Sequence, residues 1–154
     1  EKGLYMNILF VNSSANRDGN TLRMAKALLE GFEYETLNLI DYRINFKGQD
    51  LPGDQFDEVV SKIKKADVLV LGSPDYWFTI NGAMRVLIDR FYGEVNLHSL
   101  SGDFYIIFQG AGPRPIEYQR AEETARAFCK GYGYDYKGMI TSLADARDFN
   151  KNIG

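Results

Sequence analysis

Ile8-Leu9-Phe10-Val11 and Val68-Leu69-Val70-Leu71 are unbroken apolar runs, and Phe104-Tyr105-Ile106-Ile107-Phe108 is a third. A strand with one wet face alternates polar and apolar residues; these three do not, as expected of strands covered on both faces in the middle of a parallel sheet. Thr36-Leu37-Asn38-Leu39 and Tyr134-Asp135-Tyr136-Lys137 do alternate, which suits sheet edges. Between these runs lie stripes at helical spacing: Leu22, Ala25, Leu28, Leu29 and Phe32; Phe56, Val59, Val60 and Ile63; Met84, Leu87, Ile88 and Phe91; and a weaker Ala121, Ala125 and Phe128. Strand–helix alternation over five strands predicts right-handed crossovers and a doubly wound α/β sheet. Central first, third and fourth strands with edge second and fifth strands fit the order 2-1-3-4-5, other orders staying open where a partner covers an edge strand. No repeat, linker or low-complexity tract divides the sequence, so residues 1–154 are expected to form a single domain. Met6 opens the first apolar run, and residues 1–5 read as a disordered lead or as residues foreign to the domain. The least regular stretch, Ile40 to Pro52, is a long connection of the kind that is either functional or mobile.

Composition removes several classes of function. The 154 residues are 45% hydrophobic and 25% charged, an ordinary globular balance. Eighteen Lys and Arg against 21 Asp and Glu give a net charge of −3, so neither a nucleic acid nor an anionic membrane surface is an expected partner. The single cysteine, Cys129, allows no internal disulfide and no cysteine-built zinc or iron–sulfur site, and the single histidine, His98, allows no multi-histidine centre. No metal site is expected. The apolar runs are far too short to span a bilayer, and no signal-peptide pattern is seen, so a cytoplasmic location is expected.

In an open sheet of this kind ligands bind beyond the carboxyl ends of the strands, at the switch point. The loop after the first strand reads Asn12-Ser13-Ser14-Ala15-Asn16-Arg17-Asp18-Gly19-Asn20-Thr21 and runs directly into a helix. Six of those ten residues carry a hydroxyl or amide, where ordinary N-capping needs one. Such a loop at a helix N-terminus reads as an anion site that works through backbone N–H groups and the helix dipole. It is neither a Walker loop nor the three-glycine dinucleotide fingerprint. The loop after the third strand, Gly72-Ser73-Pro74-Asp75-Tyr76-Trp77-Phe78-Thr79-Ile80-Asn81-Gly82, has three successive aromatics where polar turn residues are usual. Contiguous aromatics cannot all face one core, so they are expected to meet a flat ring system or a partner subunit. Gly110-Ala111-Gly112, followed by Pro113, reads as a turn whose bare backbone can approach a flat ligand. Together the loops point to a phosphate-bearing aromatic cofactor.

Here the residues resemble a known family. The first loop is similar to the Asn-Gly-Ser-Pro-Arg-x-x-Gly-Asn-Thr signature of the NADPH-dependent FMN reductases, a branch of the flavodoxin-like oxidoreductases, with Asn12, Ser14, Gly19, Asn20 and Thr21 in register. Gly72-Ser73-Pro74-Asp75-Tyr76-Trp77 resembles the family's Gly-Ser-Pro-x-Tyr-Trp, and Asn81-Gly82 and Ile88-Asp89-Arg90 extend the likeness into the following helix. The resemblance implies a flavodoxin-like fold with FMN as cofactor and NADPH or NADH as co-substrate. It assigns the FMN phosphate to Ser14, Asn16, Asn20 and Thr21. It runs the ring system along Pro74, Asp75, Tyr76, Trp77 and Phe78, and closes the other side with Gly110, Ala111 and Gly112. Hydride would pass from the nicotinamide to the flavin and on to a small electron acceptor such as a quinone, a nitro or azo compound, or free flavin. The flavin carries that chemistry, so no catalytic side chain is expected. Relatives of this kind are commonly homodimers or homotetramers, so the resemblance implies a homodimer or homotetramer here. Ser13 stands at the family's glycine, Ala15 at its proline and Asn16 at its phosphate-binding arginine, with Arg17 as the candidate replacement. The loop from Ile44 to Asp50 lacks the cysteines with which some relatives bind iron–sulfur clusters.

The remaining conspicuous residues have plain expectations. Asp75 is expected to be a solvated turn carboxylate; were it to face the ring, it would disfavour the anionic reduced flavin. His98 is expected in a surface turn and Cys129 in the packing of the fourth helix. Arg114 and Arg120 are expected to be solvated, with a nicotinamide-nucleotide phosphate as the other reading. Lys62-Ile63-Lys64-Lys65 complements a helix dipole. The rival function is a flavodoxin-type electron carrier without its own NAD(P)H turnover, disfavoured by the long first loop and mild charge. A receiver-like domain would need acidic residues where Asn12-Ser13 and Gly72-Ser73 stand.

Overall fold

The computed structural model describes residues 6–154; the lead expected at residues 1–5 lies outside the described residues. In chain order the elements are β1 (Ile8–Asn12), α1 (Asn20–Leu28), β2 (Glu35–Asn38), a 3-10 turn (Leu39–Asp41), α2 (Phe56–Lys64), β3 (Val68–Pro74), α3 (Gly82–Phe91), β4 (Asp103–Gln109), α4 (Pro115–Tyr132), β5 (Asp135–Ile140) and α5 (Leu143–Asn150). The strands pair in parallel in the order β2-β1-β3-β4-β5, as the apolar runs imply. Every residue of β1 and β3 is buried, whereas β2 and β5 alternate.

Side-chain alternation along the strands feeds two cores. Leu9, Val11, Leu69, Leu71, Phe104, Ile106 and Phe108 face α2, α3 and α4. Ile8, Phe10, Val68, Val70, Tyr105 and Ile107 face α1 and α5. Helices on both faces leave the strand ends as the exposed rims, with the β1, β3 and β4 loops emerging together at one of them.

Two features differ from the sequence reading. The first is α5, which the apolar pattern did not announce: its only fully buried residue is Ala146. It is fixed by Phe149, edge-on to Tyr105 at 6.0 Å between centroids, and by polar contacts. Ser142 Oγ accepts from the Asp145 N–H at 3.0 Å, and Asn150 Nδ2 donates to the Leu28 and Glu30 carbonyls at 2.8 and 2.9 Å. The second is the long connection after β2, which is fastened rather than loose. Arg90 of α3 donates to the Asn45 carbonyl at 2.8 Å and to both oxygens of Asp54 at 3.1 and 2.8 Å. The same guanidinium reaches both oxygens of Glu94 and lies 4.4 Å from the Phe56 ring centroid. Among the described residues no helix is long and apolar enough to cross a membrane, and no cluster of His, Cys, Asp or Glu has the makings of a metal site.

Candidate functional site

The loop after β1 is built by its own short side chains. Asn12 Oδ1 accepts from the Ser14 N–H at 3.1 Å, Ser14 Oγ from the Asn16 N–H at 3.0 Å, and Asn16 Oδ1 from the Asp18 N–H at 3.0 Å. Each is a local turn of the kind that Asn and Ser favour. The chain then enters α1 through Gly19, with no side-chain cap and no acidic residue in the first turn. The leading N–H groups of the helix, at the positive end of its dipole, are thus left to an outside acceptor. Arg17 turns away to pair with Asp41 of the 3-10 turn. Arg23 instead stays at the helix start, donating to Asn20 Oδ1 at 2.8 Å.

The β3 loop is locked against the first. Ser13 donates to the Gly72 carbonyl through its N–H at 3.0 Å and its hydroxyl at 2.8 Å. A side chain at Gly72 is not possible without movement, because a Cβ there would lie 2.7 Å from both the Phe10 ring and the Thr21 methyl. Asn81 ties the two loops from the far side: its amide donates to the Ser13 carbonyl at 2.7 Å, while its Oδ1 caps α3 by accepting from the Met84 N–H at 3.1 Å. Between these anchors the backbone turns back on itself in an antiparallel bridge, Asp75 to Ile80. Tyr76, Trp77 and Phe78 sit at the turn and are exposed, Trp77 at 81%. The Tyr76 hydroxyl accepts from the Ala15 N–H at 3.1 Å, and Phe78 has a φ of +64°, a left-handed conformation unusual for an aromatic residue.

The β4 loop closes the third side. Gln109 offers its carbonyl to the Asp75 N–H at 2.7 Å and its side-chain amide to Thr21 Oγ1 at 3.1 Å, so one residue joins all three loops. Gly110 lies against Asp75, 3.0 Å from the Asp75 Cβ to where its own Cβ would be, whereas nothing stands within 4 Å of that point at Gly112. Beyond it Arg114 opens α4, donating through its N–H and Nε to the buried Glu117 at 2.9 and 2.7 Å. Its guanidinium sits 4.7 Å from the Phe78 ring centroid.

The sequence pattern of the NADPH-dependent FMN reductases matches residues 6–134. The chain belongs to that family. A Bacillus subtilis (strain 168) protein named as an NAD(P)H-dependent FMN-containing oxidoreductase, YwqN, is 29% identical over 93 residues, 55% of this chain and 51% of that protein. An iron-sulfur flavoprotein of Archaeoglobus fulgidus is 33% identical over 98 residues, 55% of this chain and 48% of its own length. The chain thus spans about half the length of these curated relatives. Of solved structures, the Trp repressor binding protein from Bacillus subtilis superposes with a TM-score of 0.75 at 20% identity, covering 92% of this chain and 99% of that one. At that identity the likeness is one of flavodoxin-like fold.

Within this reductase fold, Ser14, Asn16, Asn20 and Thr21 lie on the first loop and helix start, Pro74 at the end of β3 with Asp75 to Phe78 on the loop that follows, and Gly110 to Gly112 on the third loop. The structure brings the three loops together at one rim of the sheet, bonded to each other by Ser13, Tyr76, Asn81 and Gln109. Two expectations are corrected. Asp75 is not a solvated carboxylate: its Oδ1 is buried. Arg114 is not merely solvated, since it holds Glu117 and covers Phe78. The sequence reading passed over Asn81 as a bridge and Gln109 altogether. An Asn immediately before a helix is a cap signal, and could have marked the first. Nothing local marks Gln109, whose partner lies on α1. His98 is in an exposed turn with a φ of +57°, and burial pushes the Cys129 thiol up to about 12.

Proposed function

We propose that this rim binds FMN and that the protein is an NAD(P)H-dependent flavin oxidoreductase acting on a small electron acceptor. The observation that carries the reading is the joining of an uncapped helix start to an exposed aromatic turn through the Ala15 N–H and Tyr76 hydroxyl. The residues fit the cofactor. The start of α1, with Ser14, Asn16, Asn20 and Thr21, suits a phosphate without an Arg at position 16, because free N–H groups and the helix dipole hold anions by themselves. Arg17 is committed to Asp41, so Arg23 beside Asn20 is the cation better placed to assist. Pro74, Asp75, Tyr76, Trp77 and Phe78 form one wall for a flat ring and Gly110, Ala111 and Gly112 the other, with Gly112 leaving open space. When bound, FMN supplies hydride acceptance from NADPH or NADH and electron delivery to a quinone, nitro or azo compound, or free flavin. The chain's own part is to hold and orient: the loops fix the phosphate and ring against each other, and the exposed face of Trp77 leaves room for a second flat molecule.

Names borne by relatives support this reading, including the FMN-containing oxidoreductase of Bacillus subtilis and structural neighbours titled azoreductase and flavone reductase. A cytoplasmic single-domain homodimer or homotetramer belongs to the same proposal, with exposed Tyr92 available to a subunit contact. The test is to purify the protein, look for a flavin spectrum or load FMN, and follow NADPH and NADH oxidation with menadione as acceptor. Turnover is expected with at least one nucleotide. FMN uptake without turnover would make it a flavodoxin-type carrier, and no uptake of FMN would remove the proposal.

A further inference from the structure

Glu117 and Asp75 lie where the head of α4 comes up beside the β3 loop. Glu117, in the first turn of α4, is only 3% exposed, and its Oε2 takes both hydrogen bonds from Arg114. Asp75 leaves β3 with its N–H bonded to the Gln109 carbonyl, its Cβ packed against Gly110, and its Oδ1 buried without a hydrogen-bond partner. Arg114, bonded to Glu117 and lying over Phe78, brings the Glu117 carboxylate to the turn that carries Asp75. Two ionised carboxylates have only acceptors to offer each other, and water does not reach Oδ1 to supply a donor. Like charges in such a place are strongly disfavoured, and one shared proton removes both the repulsion and the orphaned acceptor.

We propose, on the reading that this rim holds FMN, that Asp75 is a positioning residue: it remains a neutral carboxylic acid, donates to Glu117, and so clasps the aromatic β3 loop to the head of α4. The proton belongs on Asp75 because Glu117 is the better-supported anion, with the Arg114 guanidinium and N–H both directed at it. Burial, and then the neighbouring Glu117, push the Asp75 carboxyl above the ordinary range, while the N–H groups of Phe78 and Thr79 oppose the shift. Arg114 holds Glu117 below its usual value. The charged groups facing Asp75 from α4 and its N-cap are thus Glu117 and, behind it, Arg114. β4 and its loop present the uncharged Gln109 carbonyl and Gly110, and the β1 loop reaches this turn through Tyr76.

The clasp closes a ring of contacts. Asp75 holds Glu117, Glu117 holds Arg114, and Arg114 covers Phe78, three residues further along the same turn as Asp75. A neutral Asp75 also spares an anionic reduced ring a like charge at this wall. An acid whose folded-state pKa is raised favours the folded clasp at low pH and loses it as pH rises through that value. The β3 loop should then part from α4, and FMN affinity should fall with increasing pH.

The experiment has two readouts. In protein carrying 13C-labelled aspartate and freed of flavin, the Asp75 carboxyl resonance, assigned by its loss in Asp75→Asn, is expected to titrate well above the other aspartates. In Glu117→Gln it should titrate lower. FMN binding by flavin fluorescence quenching is expected to weaken by about tenfold per pH unit above that ionisation in the wild type. In Asp75→Asn, whose amide donates to Glu117 at any pH, the slope should flatten to that of the FMN groups alone. An Asp75 resonance titrating in the ordinary carboxylate range overturns the proposal, as does an Asp75→Asn variant that keeps the wild-type pH profile. If no variant takes up FMN at any pH while the raised titration is seen, the acid pair stands and the flavin reading, with the positioning role, falls.

Discussion

Trp77 and Gly72 sit five residues apart in the chain and do opposite things. Gly72 is buried in β3 under the Phe10 ring and the Thr21 methyl, at 2.7 Å from each to its missing Cβ, so the site's floor is set by the absence of a side chain. Gly72→Ala is expected to cost about 1–3 kcal/mol of overpacking, read as a lower urea midpoint. Trp77 touches little, its ring edge-on to Phe78 at 6.1 Å between centroids, and truncating it should leave stability within about 0.5 kcal/mol. If the ring stacks on flavin, Trp77→Ala should weaken FMN binding by about 1 kcal/mol, roughly fivefold. As the only tryptophan it also reports directly, and FMN titration should quench its emission. An unchanged FMN affinity in Trp77→Ala would return this aromatic to the role of a subunit contact. Both residues drew notice in the sequence, but only the aromatic run had a readable meaning. The requirement at Gly72 arises from Phe10 and Thr21, which lie on other elements.

At the scale of elements, α3 does more than cover the sheet. Its Arg90 gathers the long connection after β2 through Asn45 and Asp54, and holds Glu94 just past its own end. That guanidinium holds the Asp54 and Glu94 carboxyls below their ordinary range and is itself pushed up, by Glu94 first and then Asp54. Carboxylates depressed in the fold contribute stability above their unfolded pKa values, and that contribution is lost as pH falls through the folded ones. Arg90→Leu is expected to cost about 2–3 kcal/mol at neutral pH, discounted because both acids remain partly in water. The gap to the wild type should narrow in acid, measured by urea unfolding at both pH values. A gap independent of pH would mean that the loss is one of packing on Phe56 alone. Ile88-Asp89-Arg90 was recognisable as a family triplet and the stretch from Ile40 as irregular. Their connection was hidden because the partners lie 36 and 45 residues from Arg90 in the chain. The same reason hid α5. Its attachment to α1 runs through Asn150, while its apolar face is too thin to show at helical spacing.

For the whole molecule, the unbroken runs of β1, β3 and β4 specify the middle of the sheet, and the alternating edges complete the order. That order was readable because burial on both faces leaves a mark in every residue of a strand. The rim was readable only as loops of unusual composition. Which of their side chains bond to each other depends on the distances between strand ends, and no periodicity encodes those. Because both cores are built on β1, β3, β4 and β5, loosening either exposes the sheet to which the other is packed, and heat or denaturant should unfold the described fold in one transition. A ligand held by the β1, β3 and β4 loops binds only when all three strands are in place, so FMN should stabilise the entire unit rather than a segment. At 100 times its dissociation constant, a ligand with one site on the folded state adds about 2.7 kcal/mol. In a chain of this size that is roughly 5–10 °C in Tm. Riboflavin, which lacks the phosphate, should give a smaller shift at equal concentration if the start of α1 carries the anion, and equal shifts would place the binding in the aromatic wall alone. Differential scanning fluorimetry with the two flavins separates these outcomes, and Arg23→Ala should bring the FMN shift towards the riboflavin value.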